Sequence, residues 1–125
     1  SVPGVIRHMV GRELGELFPR HAPPAFGATR LEVRGLTVAA ERGGPAVLED
    51  VSFELRAGEV LGIGGLMGAG RTELLMHLFG AWGHRLAGEV RLSGEAYPRP
   101  SPSASIARGL VLASEDRRRY GLVLE

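Results

Sequence analysis

The feature that most constrains this chain is a short apolar run that breaks into glycines and reopens as a helix. Val60-Leu61-Gly62-Ile63-Gly64 has little polar relief, as suits a strand buried on both faces of a parallel sheet. Gly65-Leu66-Met67-Gly68-Ala69-Gly70-Arg71-Thr72 follows, and Leu74, Leu75, Leu78 and Phe79 then recur at helical spacing until Gly80 offers a stop. The stretch from Gly65 to Thr72 fits G-x-x-x-x-G-K-[ST] at every fixed position but one. In that pattern the glycines let the backbone curl until successive N–H groups face phosphate oxygens, and the next helix adds its positive N-terminal end. Thr72 stands where the pattern places a hydroxyl for Mg²⁺. A glycine turn can also serve packing alone, but a buried strand before it and a helix after it favour the phosphate reading.

The exception is Arg71, at the lysine position. Its planar fork is bulkier than an ammonium and does not act as the same compact point charge. All 15 positive side chains of the chain are arginine, so a coding bias could account for this exchange. It does not account for Glu73, which puts a carboxylate beside the loop. At a bare helix N-terminus that charge is favourable, yet it repels a bound triphosphate.

The segments around the loop set the organisation. Val5, Ile6, Met9, Val10, Leu14, Leu17 and Phe18 have the spacing of an amphipathic helix, weakened by Gly11 and Gly15. The proline-rich stretch from Pro19 to Gly27 excludes a regular element and marks the boundary between two units. From Leu31 the period becomes two: Leu31 and Val33, then Leu36 and Val38, and beyond a Gly43-Gly44-Pro45 turn Val51, Phe53 and Leu55, which predicts an antiparallel pair. Gly88 to Gly94 reads as a strand closed by a turn, and Pro100-Ser101-Pro102-Ser103 as the start of a short helix with Ser103 as N-cap and Gly109 as its stop. Leu110-Val111-Leu112-Ala113 reads as a further buried strand. The fold expected is α/β, with a phosphate-loop core and a small antiparallel β layer from Leu31 to Arg56.

Composition removes several function classes. Apolar residues at 44% and charged residues at 23% are those of an ordinary globular domain. A formal net charge of +1 gives no electrostatic reason to expect nucleic acid. Without cysteine there is no disulfide framework or thiolate metal site. No stretch approaches the run of about 20 apolar residues that a membrane helix needs, and no secretory leader is visible. His8, His21, His77 and His84 have no metal-ligand spacing and are read as surface or packing residues. Arg117-Arg118-Arg119 reads as a solvated turn, Met67 as a space-filler in the loop, and Trp82 as local packing rather than a subunit contact.

The run from Val51 to Leu74, with Gly-Arg-Thr-Glu closing its glycine loop, resembles the second ATP-binding domain of tandem-domain ABC ATPases that energise uptake of simple sugars. Met9-Val10-Gly11-Arg12-Glu13-Leu14 looks like the end of the first such domain, and Glu115-Asp116-Arg117-Arg118 resembles the Q-loop segment with Glu115 in place of glutamine. Leu78 to Trp82, with Gly88-Glu89-Val90, is most similar to the xylose-type branch. The resemblance implies a P-loop NTPase core of the ABC type, incomplete within these 125 residues. Residues 1–18 would close a first ATP-binding domain, 19–29 link the two, and 30–125 begin the second. It implies ATP with Mg²⁺ as cofactors, bound by Gly65, Leu66, Met67, Gly68, Ala69, Gly70, Arg71, Thr72 and Glu73, with Thr72 toward the metal.

The expected partners are transmembrane permease subunits, a sugar-binding protein and the other ATP-binding domain. The expected place is the cytoplasmic face of a bacterial membrane. A helical subdomain with an L-S-G-G-Q-like signature, a Walker B strand and a switch histidine are not found in the 125 residues, so the chain by itself is expected to be catalytically inactive. Leu36 to Gly44 also has no aromatic residue to stack on adenine. A P-loop kinase or GTPase is an alternative, as is an interaction domain that kept the loop without binding nucleotide. The first needs a phosphate-binding lysine or a substitute; the second predicts no Mg²⁺-ATP binding.

Overall fold

A computed structural model describes residues 25–98 and 100–114. The expected helix between Val5 and Phe18, Glu115 and the Arg117 to Arg119 run lie outside them. Among the described residues the order is β1 (Thr29–Ala39), β2 (Ala46–Arg56), α1 (Arg71–Phe79), β3 (His84–Leu92), β4 (Glu95–Ala96) and α2 (Pro102–Ala107). The four strands form one antiparallel sheet in the order β2-β1-β3-β4.

The hydrophobic pattern explains the irregularities of this sheet. On β1 the buried positions are Leu31 and Val33, then Leu36 and Val38, so the parity changes between Val33 and Leu36. A strict two-residue period cannot bury both pairs on one face; one extra residue must be absorbed. The pairing shifts register at that point against β2, and between Arg34 and Thr37 against β3, with Gly35 at φ 58°. β2 makes the matching change between Leu48 and Val51 with Asp50 at φ 50°. Side chains hold the two bulges together: Gly35 N–H donates to Ser52 Oγ at 2.8 Å and Asp50 N–H to Thr37 Oγ1 at 3.2 Å. Gly88 of β3 lies against Gly35, where a Cβ would run into the Gly35 carbonyl.

The core is built from Leu31, Val33, Leu36, Val38, Leu48, Leu74, Leu78, Val90, Leu92 and Tyr97. Partly buried Val51, Phe53, Leu55, Trp82, Ala104 and Leu110 pack against it, in agreement with the packing role read for Trp82. The antiparallel pair and the helix ending at Phe79 with Gly80 as its stop form as the sequence predicts; Gly80 caps α1 at φ 86°. β3 begins earlier than expected, at His84, and a two-residue Ser93-Gly94 turn with positive φ at both positions returns it into β4.

Four expectations are corrected. Val60 to Gly64 and Leu110 to Ala113 are not strands, and Val60 and Val111 are largely exposed. A strand buried on both faces needs partners along its edges, and every described pairing is antiparallel among β1 to β4. The N-cap of α2 is Ser101 rather than Ser103: Pro102 takes the first helical position, where its missing N–H is harmless, and Ser101 Oγ accepts from Ala104 N–H at 3.3 Å. Met67 fills no space; it is 97% exposed.

Candidate functional site

The loop from Gly65 to Gly70 leads directly into α1. Its turn closes with Ala69 N–H on Leu66 O at 3.1 Å, and Gly68 and Gly70 both take φ 79°. These positive angles are ones that side chains adopt only with strain. A Cβ at Gly65 would lie 3.0 Å from Ala69 Cβ and 3.6 Å from Arg71 Cδ, so a side chain there would crowd the turn. Around Gly68 nothing comes within 4 Å of such a Cβ. Gly70 is buried against β2, where a Cβ would sit 2.6 Å from Leu48 Cδ2. β2 thereby fixes the start of α1 relative to the sheet.

Gly70 is the N-cap of α1 and offers no side chain to the first turn. Leu74 N–H, on Gly70 O at 2.9 Å, makes the first intrahelical bond. Among the described residues the N–H groups of Arg71, Thr72 and Glu73 have no acceptor, so three donors and the positive end of the helix face the loop. The Arg71 and Thr72 side chains are exposed, and Glu73 is the acidic residue of the first turn. Neither ion pair nor side-chain hydrogen bond ties Arg71, Thr72 or Glu73 to another described residue. Backbone donors at a helix N-terminus and an exposed hydroxyl are groups that suit an anion.

Gly65 through Glu73 form a turn that runs into α1, without the strand that the sequence reading places before it. Glu115 lies outside the described residues. Sequence reading missed a buried polar cluster at the other end of α1. There Ser105 Oγ–H donates to Phe79 O at 2.7 Å and accepts from Tyr97 Oη–H at 2.7 Å, with Ser105 fully buried. His77, 3% exposed, donates from Nδ1 to Trp82 O at 3.0 Å. Burial pushes the His77 imidazole below its ordinary pKa, helped by Arg85 and His84 and opposed by the Trp82 carbonyl. The only sequence signal for this cluster was a histidine on the buried face of a helix. Among the described residues no acidic or histidine group gathers into a metal site, and no helix is long and apolar enough to cross a membrane.

No protein-family profile matches the chain. It is 48% identical over 121 residues to the xylose import ATP-binding protein of Geobacillus kaustophilus, covering 97% of this chain and 24% of that protein. With the xylose import ATP-binding protein of Thermoanaerobacter pseudethanolicus it shares 48% identity over 122 residues, covering 95% and 24%. For that of Pseudomonas savastanoi the identity is 43% over 124 residues, covering 98% and 24%. The chain thus spans about a quarter of the length of the curated relatives it matches. Among solved structures it superposes on a bacterial Atm1-family ABC exporter with ATP bound, at a TM-score of 0.54 and 20% identity, over 72% of this chain and 16% of that one. The described residues therefore share the fold of part of that exporter chain.

Proposed function

As a homologue of these xylose-import ATP-binding proteins, the chain, we propose, is the nucleotide-binding part of an ABC transporter ATPase that powers uptake of a simple sugar of the xylose type. The observation that carries the proposal is the Gly65 to Glu73 loop: it opens α1 with three N–H donors that no described residue accepts, and Gly68 and Gly70 take positive φ to make the turn. The backbone from Gly65 to Arg71 would hold the phosphates of ATP and Thr72 would offer its hydroxyl to Mg²⁺, which when bound neutralises phosphate charge. Residues 30–125 belong in this reading to the second ATP-binding domain, 19–29 to a linker and 1–18 to the end of the first. Glu115 takes the Q-loop place. The partners are permease subunits, a sugar-binding protein and the first ATP-binding domain, at the cytoplasmic face of the membrane.

The loop is degenerate. Arg71 supplies charge without lysine's compact geometry, and Glu73 sets a carboxylate in the turn whose donors face phosphate. Preorganised positive surroundings do most of the work in phosphoryl transfer, so this site supports closure on nucleotide while the first domain hydrolyses. The test is made in a full-length subunit. Arg71→Lys with Glu73→Ser leaves transport unchanged or raises ATPase activity modestly, whereas loss of the first domain's P-loop lysine abolishes transport. A drop of about 1000-fold in catalytic rate for Arg71→Ala at unchanged affinity, about 4 kcal/mol of transition-state stabilisation, would make Arg71 catalytic and overturn the degenerate reading.

A further inference from the structure

At the end of α1 opposite the phosphate loop, two buried nitrogens lack partners. His77 Nε2 and Arg85 Nε have no hydrogen bond among the described residues, although His77 Nδ1 is bound to Trp82 O and Arg85 Nη2 donates to Tyr97 O at 3.1 Å. Both residues line one cavity of about 200 Å³, together with Gly80, Trp82, Gly83 and Pro98. Arg85 lines a second cavity as well. Ion pairs among the described residues engage Arg34, Arg56, Arg91 and Arg108, but not Arg85. Burial lowers the pKa of Arg85, and nothing described offsets that penalty. A partly buried guanidinium without a counter-ion is unfavourable, so the site calls for negative charge and not merely a water.

We propose that this cavity is a carboxylate-binding site, in which one oxygen accepts from Arg85 Nε–H and the other from a proton on His77 Nε2. Two donors on separate elements, α1 and β3, suit a planar two-oxygen group. At the C-terminal end of α1 three carbonyls, those of Met76, His77 and Phe79, are already engaged. Gly80 N–H donates to His77 O and Ala81 N–H to Met76 O, both at 2.9 Å, and Ser105 donates to Phe79 O. The charged and titratable groups acting on His77 are Arg85 and His84, both of which disfavour its protonation. A carboxylate reverses that balance, so binding takes up a proton. The carboxylate comes either from a free small acid or from an Asp or Glu side chain of a docked polypeptide. The proposal is independent of the nucleotide reading.

The experiment follows the imidazole nitrogens of the 125-residue chain by NMR while sodium acetate replaces sodium chloride at constant ionic strength. The protonation midpoint of His77 is expected to rise by about one pH unit. Arg85→Gln is expected to abolish the response and Arg85→Lys to keep part of it. The second arm compares acetate with N-acetylglutamic acid amide. About tenfold tighter binding of the latter assigns a polypeptide side chain, and equal or weaker binding assigns a free acid. If His77 does not respond to either probe, if chloride or inorganic phosphate acts as strongly as acetate, or if folded Arg85→Gln responds like the parent chain, the proposal is overturned.

Discussion

Replacing Ser105 by alanine removes one hydroxyl and strands two buried groups. Ser105 donates to Phe79 O and accepts from Tyr97 Oη–H, each at 2.7 Å, in a setting where Ser105 is 0% and Tyr97 4% exposed. The variant leaves Phe79 O without its donor and Tyr97 Oη–H without its acceptor. An orphaned buried group costs about 1–3 kcal/mol, so the expected loss is about 2–4 kcal/mol, a large share of the roughly 5–15 kcal/mol that holds a domain. Tyr97→Phe differs, because Ser105 can still donate to Phe79 O, and the loss is about 1 kcal/mol. In the double variant only Phe79 O is stranded, so the pair costs less than the sum of its parts by about 1 kcal/mol or more. Urea unfolding of the four proteins measures all three quantities. Equal losses for the two single variants, with simple additivity, would refute the reading of Ser105 as the shared link between α2, α1 and Tyr97.

Three further outcomes are expected. Gly70→Ala puts a Cβ at φ 79° and 2.6 Å from Leu48 Cδ2, and thermal or urea unfolding is expected to show a loss of about 1–3 kcal/mol. His77 has a folded-state pKa lowered from 6.5 chiefly by burial, so the unfolded chain binds more protons below pH 6.5; stability is full above that pH and declines as pH falls through the folded value, and the urea midpoint of His77→Gln lacks that component. The pure 125-residue chain is expected to release no phosphate from ATP above background, because its sequence has no Walker B carboxylate to hold Mg²⁺ and orient water; steady turnover would contradict this.

Much of the layout was legible because it rests on local signals. The parity change from Leu31 and Val33 to Leu36 and Val38 carried the bulged strand β1, and the glycines with Leu74 and Leu78 carried the loop and α1. Val60 to Gly64 was read as a strand from its apolarity, but apolarity alone does not make a strand, and none of the described strands pairs with this run. Ser101 and Ser103 are both competent caps by residue type, and Pro102 decides for Ser101 through its fixed φ. Beyond His77 on the buried face of a helix, the Ser105–Tyr97–Phe79 link and the His77–Arg85 cavity left no signal in the sequence. They join residues eight or more positions apart in sequence, and serine and histidine carry no periodic signature of burial.

The nucleotide stoichiometry of a full-length subunit tests the central claim most directly. Native mass spectrometry at saturating Mg²⁺-ATP is expected to find two nucleotides per subunit, falling to one when Gly65→Val crowds the turn. One nucleotide in the parent subunit, or two in Gly65→Val, would contradict the assignment of Gly65 to Glu73 as a nucleotide-binding loop.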